Sequence, residues 1–210
     1  METNVLVAFY SRYGNTRALA EGIAEGAREV KGVNVRLRRA VDLAPEDVIA
    51  RDDRWAAARG EMAKLYPEPT NDDFEWADVI FLGTPTRYGN PSAEIKLVID
   101  KTGPLWLAGK LVDKVFSVFV STSTLHGGNE STILAMMNPI MHWGGIIVAP
   151  GYADPIMFQA GTPYGASSVS GANADELPTQ ADMTVARFIG KRATERGLML
   201  KLGKEAMAKG

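Results

Sequence analysis

Five short apolar runs punctuate the 210 residues, and helix-spaced stretches separate them. Val5-Leu6-Val7-Ala8-Phe9-Tyr10 is apolar at nearly every atom, and Asp78-Val79-Ile80-Phe81-Leu82-Gly83, Val115-Phe116-Ser117-Val118-Phe119-Val120 and Gly145-Ile146-Ile147-Val148-Ala149 are nearly as unbroken. A strand with no polar face needs cover on both sides, which parallel strands joined by helices provide. Only Val33-Asn34-Val35-Arg36-Leu37-Arg38, after the break at Gly32, alternates apolar with polar residues, as an edge strand does. The pattern predicts one α/β domain over residues 1–210.

The connections fit that plan. Leu19, Ala20, Ile23 and Ala24 have the spacing of a buried helix face. Residues 42–75 are polar, with Pro45 at a helix start, Trp55-Ala56-Ala57-Ala58 inside a helix and Pro67-Glu68-Pro69 ending it. Pro91 suits the first turn of a helix running to about Lys101, and another helix is expected over 130–141. A Gly/Ser-rich connection, 151–177, leads to a last helix starting near Thr179. With right-handed crossovers and the first strand central, the expected architecture is a doubly wound, flavodoxin-like five-stranded parallel sheet of order 2-1-3-4-5. Ligands bind such sheets at the carboxyl ends of the strands.

Composition narrows the chemistry. There is no cysteine, which excludes disulfides, zinc–thiolate sites, iron–sulfur clusters and a cysteine nucleophile, and no metal site is expected. A formal charge of −2 lacks the basic footprint of a nucleic-acid binder and the strong single-sign field of a dedicated electron carrier. No apolar run approaches the roughly 20 residues of a membrane span. Met1-Glu2-Thr3-Asn4 leads straight into the first strand without room for a signal peptide, so the expected location is cytoplasmic.

Three loops leave strand ends with unusual chemistry. Ser11-Arg12-Tyr13-Gly14-Asn15-Thr16 joins the first strand to a helix, whose N-terminus offers unpaired amides to a phosphate. Ser11 and Thr16 add hydroxyl donors, and Asn15 suits the N-cap. The loop lacks the lysine and spacing of a triphosphate-binding loop and the three glycines of a dinucleotide fingerprint, so a terminal phosphomonoester fits best. Thr84-Pro85-Thr86-Arg87-Tyr88-Gly89-Asn90 offers a flat aromatic, a guanidinium and close backbone approach. Ser121-Thr122-Ser123-Thr124-Leu125-His126-Gly127-Gly128-Asn129 offers amides and hydroxyls to a planar polar heterocycle. Taken singly, each loop has a plainer reading as a strand-to-helix turn, a surface turn or a flexible linker. Together on one rim, a phosphate site and a site for a flat ring describe flavin mononucleotide (FMN).

These loops, with Gly161-Thr162-Pro163-Tyr164-Gly165-Ala166 and Asp100-Lys101-Thr102-Gly103-Pro104-Leu105-Trp106, carry a resemblance over nearly the whole chain. The sequence resembles the FMN-dependent NAD(P)H:quinone oxidoreductases of the tryptophan-repressor-binding-protein type. The resemblance implies non-covalent FMN, NADH or NADPH as reductant, two-electron reduction of quinones and a homotetramer. It implies that Ser11, Arg12, Tyr13, Gly14, Asn15 and Thr16 hold the phosphate side of FMN, with Tyr13 also at the nicotinamide nucleotide. Thr86, Arg87 and Tyr88 would meet the ring, as would the third loop: Ser121, Thr122, Ser123, Thr124, Leu125, His126, Gly127 and Gly128. His142 matches a family histidine at the flavin and is the candidate catalytic residue; Trp106 matches a residue lining the substrate pocket. Segment 49–74 and the pair Leu125-His126 depart from the family pattern.

The expected reaction has two halves sharing one pocket. A nicotinamide gives hydride and leaves, and a quinone then takes its place, which predicts ping-pong kinetics. The cofactor carries the chemistry and the protein positions it, so no amino-acid nucleophile is expected. Competing readings are a one-electron carrier, a transcription-linked interaction protein, and an azo or nitro compound reductase.

Overall fold

A computed structural model describes residues 2–209. The strands are β1 (Thr3–Phe9), β2 (Val33–Arg39), β3 (Val79–Arg87), β4 (Asn90–Pro91), β5 (Val115–Thr122), β6 (Ile146–Ile147) and β7 (Ala166–Val169). The helices are α1 (Asn15–Arg28), α2 (Glu46–Ile49), α3 (Asp53–Leu65), α4 (Asn71–Trp76), α5 (Ala93–Lys101), α6 (Gly103–Leu107), α7 (Asn129–His142) and α8 (Gln180–Lys209).

Side chains alternate across β1, and each face finds its own cover. Val5, Val7 and Phe9 pack with Leu19 and Ile23 of α1 and Val185 and Ile189 of α8. Leu6, Ala8 and Tyr10 share the opposite core with Ile95 of α5 and Ile133, Met136 and Ile140 of α7. Two helix layers therefore sandwich the sheet, as the unbroken apolar runs require. On the first side α1 and α8 approach closely: a Cβ on Gly26 would lie 2.0 Å from the Arg187 carbonyl oxygen, and one on Gly190 would lie 2.2 Å from that of Ile23.

The parallel path β2-β1-β3-β5-β6 is the expected order 2-1-3-4-5, because β4 is a short antiparallel addition to β3. Three details differ from the sequence expectation. The fifth strand is broken: β6 pairs with Val115 and Phe116, whereas β7 pairs with Phe119 to Thr122. Residues 149–165 leave the sheet between them, where Pro150 lacks an amide for the ladder and Gly151 turns the chain at φ +57°. The connection 151–177 thus contains a strand. Pro91 lies in β4 rather than in a helix, and α5 begins after Ser92. Finally β3 runs on to Arg87 and turns back through Tyr88 and Gly89, both at positive φ (54° and 76°), the geometry of a tight hairpin. Among the described residues no helix is long and apolar enough to cross a membrane.

Candidate functional site

The first loop opens α1 with a run of unpaired backbone amides. Gly14 occupies the N-cap position of α1 with φ +110°, a conformation glycine adopts without strain. The N-cap is therefore Gly14 and not Asn15, which becomes the first helical residue. Its side chain is released for other work, accepting from Ser168 Oγ and donating to the Glu176 carbonyl at 2.8 Å. Gly14 N donates to Ser11 Oγ at 3.1 Å. The amides of Arg12, Tyr13, Asn15 and Thr16 have no protein acceptor among the described residues. Unpaired amides at the positive end of a helix can donate to an anion.

A buried polar layer supports this loop from below. Arg39, at the end of β2, donates to the Ser11 carbonyl through Nε (3.2 Å) and Nη2 (3.0 Å), and to Asp42 at 2.7 Å. Asp42 also accepts from Tyr10 Oη (2.8 Å) and Trp55 Nε1 (2.7 Å). Burial pushes the Asp42 carboxyl up, but the hydrogen bond and charge of Arg39, helped by Tyr10 and Trp55, prevail and hold it below the usual carboxylate range. Burial first, and then the nearby Glu94 and Asp42, push the Tyr10 phenol well up.

Helix α3, from the segment that departs from the family pattern, closes the outer side. Asp52 caps it by accepting from Trp55 N at 3.0 Å and also accepts from the Tyr13 hydroxyl. Burial and that bond to Asp52 both raise the Tyr13 pKa. The Arg12 guanidinium lies 3.5 Å from the Trp55 ring centroid, and that of Arg54 lies 4.0 Å from the Tyr13 ring. Arg54 reaches on to the carbonyls of Asn173 (3.0 Å) and Ala174. The polar text of residues 49–74 thus becomes a strap between the first loop and 171–176.

The three loops meet. Thr16 Oγ1 and Ser121 Oγ are 2.7 Å apart, tying the first loop to the third. Thr86 Oγ1 bonds Thr132 Oγ1 of α7 at 2.8 Å and accepts from Gly89 N at 3.1 Å. A Cβ on Gly128 would fall 2.9 Å from Gly89 Cα, so the second and third loops touch through their backbones. Ser11, Arg12, Tyr13, Asn15 and Thr16 line one cleft with Thr86 and Arg87. Ser121, Thr122 and Ser123 form its far wall. Its volume is about 200 Å³.

The remaining expected residues lie elsewhere. Gly14 shapes the loop without lining the cleft. Tyr88 stands fully exposed at the hairpin tip, beyond the lining. Thr124 and Gly127 close a turn in the third loop, with Gly127 N donating to the Thr124 carbonyl at 3.0 Å, and Gly128 caps α7. Leu125 and His126 face a neighbouring groove with Phe158 and Glu176. His142 is at the far end of α7, roughly 20 Å along the helix from Asn129. There Trp106 Nε1 donates to the His142 carbonyl at 3.2 Å, and both line a separate surface groove. Within one chain, neither reaches the cleft.

Sequence reasoning missed Ser170 and Ala174, which complete the cleft wall. Ser170 bonds the Thr122 carbonyl through both its amide (2.7 Å) and its hydroxyl (3.1 Å). The run Ser167-Ser168-Val169-Ser170 has the same small hydroxyl texture as Ser121 to Thr124, which was the available signal.

A family model described as NADPH-dependent FMN reductase matches residues 1–155. A protein named NAD(P)H dehydrogenase (quinone) from Geotalea uraniireducens is 41% identical over 89% of this chain and 94% of its own length. One of the same name from Aromatoleum aromaticum is 38% identical over 96% of this chain and 99% of its own. Among solved structures, a flavodoxin described as WrbA-like from Agrobacterium tumefaciens superposes with a TM-score of 0.65 at 24% identity. It covers 94% of this chain and 99% of its own, and at that identity the likeness speaks to the fold.

Proposed function

The chain belongs to the NADPH-dependent FMN reductase family, alongside the NAD(P)H dehydrogenases (quinone), and from that premise we propose that it is an FMN-dependent NAD(P)H:quinone oxidoreductase reducing quinones to hydroquinones. The observation that carries the reading is the convergence of three strand-end loops on a cleft whose phosphate end presents unpaired amides. When bound, FMN supplies the redox chemistry, accepting hydride from a nicotinamide and passing two electrons to a quinone.

The residues of the cleft fit that group. The amides of Arg12, Tyr13, Asn15 and Thr16, with the hydroxyls of Ser11 and Thr16, hold the phosphate. Arg12, stacked on Trp55, adds a positive charge beside them. Thr86, Arg87 and the wall from Ser121 to Ser123 orient the remainder. Each hydrogen bond to a charged phosphate oxygen contributes about 1.5–3 kcal/mol. One open mouth serves nicotinamide nucleotide and quinone in turn, so turnover is ping-pong.

The active unit in this reading is a homotetramer in the cytoplasm. Its support is the position of Trp106 and His142, exposed together at the end of the molecule away from their own cleft. A neighbouring subunit brings them to its partner's flavin, where Trp106 lines the quinone pocket and His142 serves as proton relay or electrostatic partner.

Purified protein is expected to bind FMN, to bleach with NADH or NADPH, and to recolour on adding benzoquinone. FMN binding without bleaching would move the assignment to an electron carrier, and no flavin binding would end it.

A further inference from the structure

We propose that Arg39, which does not line the cleft, is a positioning residue for the cofactor phosphate: by holding the Ser11 carbonyl inward it aims the Arg12 amide outward. The inference rests on the reading that the first loop binds a phosphate. Arg39 is 4% exposed and spends two donors on the single oxygen of Ser11. In a trans peptide the N–H points opposite to the C=O. The described chain has no cis peptide bond, so drawing the Ser11 oxygen into the interior turns the Arg12 N–H toward the cleft that its side chain lines. That amide has no protein acceptor among the described residues.

The alternative orientation would present a carbonyl oxygen to a dianion, which repels it. A flip of that peptide would carry Arg12, which is not at positive φ, toward the region that non-glycine residues disfavour. The buried guanidinium adds two hydrogen bonds to that preference and fixes the orientation. Its charge is matched by Asp42 at 2.7 Å, and Asp42 is itself fixed by Tyr10 and Trp55. Arg39 therefore acts through the geometry of one peptide rather than through a long-range field.

The test compares FMN with riboflavin, which has the same ring and no phosphate. Two variants are titrated with both ligands by flavin fluorescence: Arg39→Lys, and the pair Arg39→Met with Asp42→Asn, which leaves no unpaired buried charge. The expected result is a loss of FMN affinity of about tenfold, one hydrogen bond's worth, with riboflavin affinity within about twofold of wild type. Arg39→Lys should recover part of the loss relative to the double variant. Equal losses for the two ligands, or no loss for either, would overturn the proposal and leave Arg39 as scaffold only. Should neither variant fold, the wild-type Arg12 amide resonance decides: it shifts with FMN and not with riboflavin if the proposal holds, and any other pattern refutes it. Wild-type protein that binds no FMN would instead remove the underlying reading.

Discussion

Gly190 and Gly203 lie in the same helix, α8, and alanine should act on them in opposite directions. A Cβ at position 190 would sit 2.2 Å from the Ile23 carbonyl oxygen, against the 3.4 Å at which ordinary contact begins. The obstacle is backbone of α1, so no side chain can swing aside, and the two helices must part by roughly 1 Å. Overpacking of that kind costs about 1–3 kcal/mol, and the better helix propensity of alanine returns less than about 1. A net loss near 1 kcal/mol lowers Tm by roughly 2–4 °C in a domain of this size. At position 203 nothing lies within 4 Å of the new methyl, so Gly203→Ala keeps the propensity gain and raises Tm by about 2–4 °C. The assay is thermal unfolding followed by far-UV circular dichroism, at equal saturating FMN so that ligand linkage is common to all samples. Two variants shifting in the same direction, or Gly190→Ala melting within 1 °C of wild type, would show that α1 and α8 do not meet as closely as described.

Thr16→Glu should abolish FMN retention. Two unit charges about 5 Å apart repel by about 3 kcal/mol at an effective dielectric of 20, more than a hundredfold in Kd for each phosphate charge; a variant that stays yellow through gel filtration contradicts the phosphate placement. Asp42 is held below its ordinary pKa in the fold, so its contribution is full above about pH 4 and is lost as pH falls through the depressed folded value. The stability gap between wild type and Asp42→Asn should therefore be large at pH 7 and shrink by pH 3 in urea titrations, and a constant gap would count against the ion pair. Arg54→Ala cuts the strap from α3 to residues 173–174. FMN should dissociate about tenfold faster in stopped-flow displacement, the loss of two exposed charge-assisted bonds to the cleft wall, and an unchanged off-rate would deny the strap any part in retention.

The order of the sheet was legible because five apolar runs with helical crossovers leave few topologies open. β4 was not, because a two-residue strand carries no period to read, and neither was β7, which lies within a Gly/Ser-rich stretch. The first loop was legible as a strand-to-helix turn, but the N-cap was misassigned: Asn15 has the better capping side chain, whereas Gly14 has the backbone freedom, and the backbone decided. Ser170 and Ala174 were hidden in a Gly/Ser-rich connection whose place depends on the pairing of β7 with β5. Residues 49–74 looked like surface text. Trp55, Arg54 and Asp52 gain their meaning only from contacts with Arg12, Tyr13 and Ala174, distant in sequence. The separation of Trp106 and His142 from the cleft follows from the length of α7, which the sequence did contain.

The broken fifth strand has a practical corollary. β5 hydrogen-bonds to β6 at one end and to β7 at the other, so residues 149–165 are an excursion that the ladder does not need. Foreign peptides, reporter tags or protease sites grafted near Tyr152 and Phe158, both on the outside, can lengthen this detour at a modest entropic penalty that rises only logarithmically with length. The scaffold thus offers an engineering port that spares the strand ends lining the candidate cleft.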